Sequence, residues 1–302
     1  MNMNRFIIGT LYRNLLKPVL FQCDAERVHK VMTNVGERLE NQKWLLNVLF
    51  PKNAKVQKKI VGLEFENVVG LAAGFDYNGH LAQVMKHIGF GFNTVGTVTA
   101  KPYVGNALPR LARLPRSKSL LVNKGFKSDG AHVIAKRLDE KKLDGHLIGI
   151  SVGSSNISSV DTASKAIDDY LETFHIFQNK PYCSYFELNI SCPNAAMSGS
   201  FSESKNFKEL VLAISSCNIT QPIFIKMPSE INFDESDAIV RIALANGIRG
   251  FIFSNLVKNR DNKMFDAKEI EAVKNYKGNF SGKPVAENSK KLITHTRNVF
   301  GN

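Results

Sequence analysis

Cysteine is scarce and unpaired: the four in 302 residues, Cys23, Cys183, Cys192 and Cys217, form neither a CxxC pair nor a dense cross-linking framework. That pattern excludes a small disulfide scaffold and points to a reducing compartment. No apolar run reaches about 18 residues, so no membrane-spanning helix is expected. The N-terminus shows no apolar core followed by a small-residue cleavage site, so no secretory signal is expected either. Acidic residues are in the minority, 27 Asp and Glu against 40 Lys and Arg, for a net charge of +13. The lysines are scattered and carry no interleaved aromatic stripe, which argues against a nucleic-acid surface. A solvated basic surface, an anionic membrane or anionic small ligands would each suit the charge.

What is present is ordinary globular composition, 43% hydrophobic and 22% charged, long enough for one large α/β domain or two smaller ones. Residues 1 to about 50 read as helix. "NRFIIGTLYRNLLKPVLFQ" has apolar residues at helical spacing, with a break or kink expected at Pro18. "DAERVHKVMTNVGERLENQKWLLNVLF" opens on a candidate N-cap, Asp24, with Glu26 in an acidic first turn. Val28, Val31, Met32 and Val35 then share one helix face. Two readings fit: a helix packed on the main domain, or a basic amphipathic hairpin on a membrane surface.

From residue 60 onward six short β-rich runs recur: 68–74, 92–99, 147–153, 185–191, 222–228 and 250–256. Stretches of helical pattern (130–142, 161–178, 205–216, 234–246) lie between most of them. Apolar strands alternating with helices indicate a parallel sheet covered on its faces. The chemistry-bearing residues gather at the carboxyl ends of these strands, where α/β sheets and barrels bind ligands.

"AAGFDYNG" and "VNKGFKSDG" are each compatible with a plain tight loop or with close approach by a flat ring or phosphate. Lys226, inside "IFIKMP", would be costly without a partner; an anionic or electron-rich ligand is preferred over a buried ion pair. In "FELNISCPN", Asn189, Ser191 and Cys192 sit where strand gives way to loop, and Pro193 ends ladder pairing. An isolated cysteine is commonly an inert small hydrophobe. At a strand tip among amides, however, a thiol can serve as a base. No histidine occupies a motif position beside it, which disfavours a Cys-His hydrolase and favours proton abstraction or redox work.

In order, "FQCDAERVH", "GLAAGFDYNG", "GFGFNTVGTVTAKPYVGNALPRLARL", "VNKGFKSDG", "ELNISCPN", "FIKMP", "FSNL" and "FSGKP" resemble the dihydroorotate dehydrogenase family. The N-terminal part is similar to the quinone-linked, membrane-associated class. The resemblance implies a (β/α)8 TIM-type barrel over 56–302 and an N-terminal helical extension over 1–55 that forms a quinone tunnel. It implies FMN as cofactor, dihydroorotate as substrate, orotate as product and a membrane quinone as acceptor. The location implied is peripheral, on the cytoplasmic face of an anionic membrane. Cys192 falls on the base position. Asn123, Gly125, Phe126, Asn189, Asn194 and Asn255 fall on substrate positions. Ala73, Gly74, Thr97, Asn189, Lys226, Ser254 and Gly282 fall on cofactor positions; no metal is implied.

There are departures. Quinone-linked members usually carry serine as base, whereas cysteine typifies the soluble class. Tyr77 stands where many members have lysine, and Ser151 where asparagine is usual. "NKGF" is one residue shorter than the common "NxxGF". Members also continue for roughly another fifth of their length, through strands 7 and 8, which bind the FMN phosphate. The stretch is therefore expected to be part of a longer protein and, alone, to hold FMN weakly or not at all. Two alternatives remain: a soluble-type flavin pyrimidine oxidoreductase with another acceptor such as fumarate, and an inactive remnant.

Overall fold

The structure is a computed structural model that describes residues 3–50, 56–143, 145–191 and 200–301. Its N-terminal helix runs through α1 (Met3–Leu11), a π-helical turn (Tyr12–Leu16) and α2 (Lys17–Gln22) without breaking. The expected kink at Pro18 is thus replaced by a local widening, in which the Lys17 N–H donates to the Tyr12 carbonyl. A wider turn moves the preceding carbonyls away from the proline ring, so the chain continues where a tight α-turn would clash. Asp24 caps α3 (Ala25–Leu39) as expected, its carboxylate accepting from the Arg27 N–H at 2.8 Å. The segment after Asp24 is two helices, not one, because the chain turns at residues 40–42 before α4 (Lys43–Leu49). A two-residue turn with Val61 and Gly62 at positive φ joins the antiparallel β1 (Lys58–Ile60) and β2 (Leu63–Phe65).

The main body follows in order. Helix α5 (Ala82–Ile88) precedes β3 (Phe92–Val98), and the pair β4 (Leu111–Leu114) and β5 (Ser119–Val122) comes next. Then α6 (Ala131–Asp139), β6 (Leu147–Val152), α7 (Ala163–Phe177), β7 (Cys183–Asn189), α8 (Ser204–Ser215), β8 (Ile223–Met227), α9 (Phe233–Ala245) and β9 (Gly250–Phe253) alternate. Last are α10 (Ala267–Ala272), β10 (Asn279–Gly282) and α11 (Lys283–Phe300). A five-stranded parallel sheet has the order β3-β6-β7-β8-β9. Residues 69–74 run beside β3 through the Leu71–Asn93 bridge, with bonds such as Leu71 N–H to Phe92 O and Gly74 N–H to Gly96 O. The expected first strand is therefore reduced to a single bridge. The architecture is the expected α/β one, with a parallel sheet consistent with part of a barrel.

Burial explains why these strands lack the alternation of a half-exposed sheet. Phe186, Leu188, Ile150, Val152, Ile225 and Met227 point into a helix-covered core with Ile134, Leu138, Phe174 and Phe207. The intervening residues Tyr185, Glu187 and Asn189 take the opposite face and are also buried. There Gly149 admits the Tyr185 ring, since a Cβ would lie 2.1 Å from its Cε2 and Cζ. A second, smaller core forms under the antiparallel sheet β10-β5-β4 from Leu114, Leu121, Val257 and Phe280.

Candidate active site

The buried inner face of the sheet becomes more polar toward its carboxyl edge. Ser151 on β6 is in register with Glu187 on β7, and Asn189 with Lys226 on β8. The Ser151 hydroxyl donates to Glu187 Oε1 at 2.7 Å, so its one proton is committed. The bond between Thr97 and Ser151 hydroxyls, 3.1 Å, must then be donated by Thr97. Thr97 in turn accepts from the Asn189 amide at 2.9 Å. Hydrogen bonds thus all point one way, from Asn189 through Thr97 and Ser151 to the Glu187 carboxylate. Lys226 closes the chain from the other side, its ammonium 3.2 Å from the same oxygen. Asn255 adds a further link, donating to Asn189 Oδ1 at 3.1 Å.

Lys226 is therefore in a buried ion pair, the arrangement that its sequence context disfavoured. Its side chain is 12% exposed and that of Glu187 only 3%, so neither charge is solvated enough to stand alone. Glu187 was missed as a site residue. The available signal was its spacing of two from Asn189, which puts both on one strand face. Ser151, noted only as a departure, proves to be the link between Thr97 and Glu187.

A second group forms after β5. Asn123 Oδ1 accepts from Asn106 at 2.9 Å, and Asn106 Oδ1 accepts from the Tyr103 hydroxyl at 2.7 Å. Asn156 donates to the Gly125 carbonyl at 3.2 Å. Gly125 and Phe126 both have positive φ, and a Cβ on Gly125 would lie 2.3 Å from Asn106 Oδ1. The Phe126 ring crosses to the first group: a Cβ on Gly153 would lie 2.5 Å from Thr97 Cγ2 and 2.9 Å from Phe126 Cε2. Asn123, Gly125, Phe126, Thr97, Asn189, Asn255 and Lys226 are thus linked through two neighbouring polar groups. Asn106, Tyr103 and Asn156 are additions that no sequence signal singled out.

Ala73 and Gly74 lie where the chain leaves the bridge to β3; Gly74 has φ +103° and a Cβ there would meet nothing within 4 Å. Ser254 follows β9 and shares a 2.8 Å hydroxyl bond with Ser289 of α11. Gly282 pairs with Ser119 in the small sheet and starts α11, which packs on β9. Cys192 and Asn194 lie outside the described residues, as does Pro193. Among the described residues no cluster of His, Cys, Asp and Glu could hold a metal.

The helical extension meets this region through polar contacts. Arg110 makes a two-oxygen ion pair with Glu26 of α3, both contacts 2.8 Å. Arg113 donates to the Cys23 carbonyl and lies over the Phe21 ring. His29 bonds the Phe75 carbonyl at 2.8 Å and stacks on Tyr77 at 5.7 Å. Burial, with the nearby Lys124 charge, holds the His29 imidazole below its ordinary pKa. Lys124 sits over the Tyr77 ring at 4.5 Å, and burial lowers its pKa to about 8. The buried Asp76 carboxyl is pushed up to about 6, although it accepts the Leu81 N–H.

Fold and site together define an α/β-barrel-type enzyme with a polar site at the strand tips. Two solved structures from Eimeria tenella share the fold. Its ligand-free DHODH has a TM-score of 0.73 and 24% identity, over 89% of this chain and 79% of that one. Its complex with ferulenol has a TM-score of 0.75 and 24% identity, over 91% and 77%. The sequence pattern of the family described as dihydroorotate dehydrogenase matches residues 55–302. Similar proteins named dihydroorotate dehydrogenase (quinone) include one from Gloeobacter violaceus, 32% identical, covering 94% of this chain and 78% of the relative. Another, from Bradyrhizobium, is 30% identical, over 94% and 76%. The chain belongs to the dihydroorotate dehydrogenase family.

Proposed function

We propose that the protein oxidises dihydroorotate to orotate in pyrimidine biosynthesis and passes the electrons to a membrane quinone. The observation that carries this reading is the convergence of neutral amides and one paired lysine at the strand tips, in a chain of this family. Amides match the imide edge of a pyrimidine, offering donor and acceptor without adding charge. Asn123, Asn189 and Asn255 would hold the ring, joined by Asn194, with Gly125 and Phe126 bounding it. Cys192, next after Ser191 in the chain, is assigned the removal of the proton beside the substrate carbonyl, a task for a well-placed base of moderate strength.

FMN fits the residues present. Small residues at Ala73 and Gly74 leave the backbone approachable by a flat ring. Lys226 spends one contact on Glu187, and an ammonium has three donors, so two remain for an electron-rich ring edge. Thr97, Ser254 and Gly282 would complete the cofactor's surroundings. When bound, FMN supplies the hydride acceptor of the reaction.

Residues 1–55 are assigned to the quinone and the membrane surface, and 56–302 to the barrel. Helix α3 and its C-cap Glu40 turn charges toward the body, through Glu26, Glu37 and Glu40, while Val31, Met32 and Val35 stay exposed. Phe6, Leu11, Leu15, Val19 and Trp44 add exposed apolar surface, with Leu15 at 64% and Trp44 at 68%. Such a surface suits the interface of an anionic bilayer, which the net positive charge would favour. Among the described residues no helix is long and apolar enough to cross a membrane. The test is turnover: the FMN-loaded holoenzyme is given dihydroorotate and a soluble quinone analogue. One quinol per orotate is expected. No orotate, or turnover with fumarate but not quinone, would overturn the assignment.

A further inference from the structure

We propose that Lys124 takes the carboxylate of the substrate, and so makes the site select an acid over its uncharged analogues. This rests on the functional reading above. The amides of Asn123, Asn189 and Asn255 are neutral, yet dihydroorotate and orotate each carry a carboxylate that loses water on binding. An anion moved out of water without a cation is strongly disfavoured. The cations nearby are mostly committed. Lys226 is held by Glu187 at 3.2 Å, and Arg110 by both oxygens of Glu26. Arg113 is bonded to the Cys23 carbonyl.

Lys124 differs. Among the described residues no carboxylate lies within ion-pair distance of its ammonium, which rests over the Tyr77 ring at 4.5 Å. Lys127 stands farther from the same ring, at 5.9 Å. The groups around Lys124 are Tyr77, Glu26, Lys127 and Arg110, with His29 stacked on Tyr77. Burial outweighs the attraction of Glu26 and leaves this ammonium under-stabilised, with its pKa lowered to about 8. An incoming carboxylate would relieve that cost. Position also agrees, since Lys124 follows Asn123 and precedes the left-handed Gly125–Phe126 turn that reaches Thr97 and Gly153. Tyr77 fixes the long side chain by cation–π contact, leaving its donors free to turn toward an anion.

Calorimetric binding of orotate and orotate methyl ester to the FMN-loaded holoenzyme tests this. Lys124→Gln is expected to weaken orotate about 30-fold, equivalent to about 2 kcal/mol, and the ester less than about twofold. Lys124→Arg is expected to retain most orotate affinity. Wild-type affinity for orotate should fall as pH rises past the ammonium's titration, while that of Lys124→Arg stays level. Lys127→Gln should leave orotate binding within about threefold. Unchanged orotate binding in Lys124→Gln, or equal losses for acid and ester, would overturn the assignment. So would a rise in quinone KM with orotate binding intact, which would place the ammonium on the acceptor side. A wild type binding neither compound would refute the functional reading itself and this inference with it.

Discussion

Removing both partners of the Glu187–Lys226 pair should destabilise the protein by less than the sum of removing each alone. At 3.2 Å and an effective dielectric near ~20, the attraction between the charges is about 5 kcal/mol, set against the cost of drying both. Lys226→Met leaves a carboxylate 3% exposed with only the Ser151 hydroxyl donating to it among these partners. The expected loss is about 3–5 kcal/mol, or about 6–10 °C in melting temperature for a chain of this size. Glu187→Gln keeps an acceptor for Ser151 but strands the Lys226 ammonium, with a similar loss. The double variant replaces two buried charges by neutral groups, and its loss should fall short of the sum by about 2 kcal/mol or more. Urea denaturation of the four proteins completes the cycle. Additive losses, or a single variant within about 0.5 kcal/mol of wild type, would refute the claim that these charges depend on each other.

Three other outcomes follow. Leu121→Ala should cost about 2–5 kcal/mol in urea denaturation, because Leu121 is fully buried against Leu114 and Phe280 in the small core. The Asp76 carboxyl has its pKa raised from 3.8 to about 6, so the folded chain binds the proton more tightly than the unfolded one. Its ionisation therefore lowers stability as pH rises between those values, and the loss persists above them; Asp76→Asn should abolish this slope and gain up to about 3 kcal/mol at pH 7. In vesicle flotation, the chain should bind anionic liposomes more than neutral ones, and Leu15→Glu with Val19→Glu should reduce binding at least about tenfold.

The periodic parts of the sequence were readable. Helices α6 to α9 fall within three residues of the expected stretches, since each has a buried stripe such as Ile134, Ala135 and Leu138. Asp24 was legible as a cap because it precedes an acidic first turn. The tips of the parallel strands were legible because loops rich in Gly, Asn and Ser follow apolar runs. Non-local pairing is not legible: nothing around Gly282 signals its partner Ser119, so the β4-β5-β10 sheet has no signature in the sequence. The partner of Lys226 was hidden for a related reason. Glu187 stood within the quoted strand, but the apolar flanks Phe186 and Leu188 pack on the other face and disguised its polar side. At Pro18 the π-helical turn depends on backbone accommodation over five preceding residues, which residue type alone does not encode.

The most direct test of the proposed chemistry is a single turnover of dihydroorotate by the FMN-loaded holoenzyme under anaerobic conditions, following the absorbance of orotate, with wild type and Cys192→Ala side by side. The account predicts that the variant still binds orotate but forms it at least about 100-fold more slowly, the scale of a lost general base. Orotate formation at the wild-type rate by Cys192→Ala would contradict it.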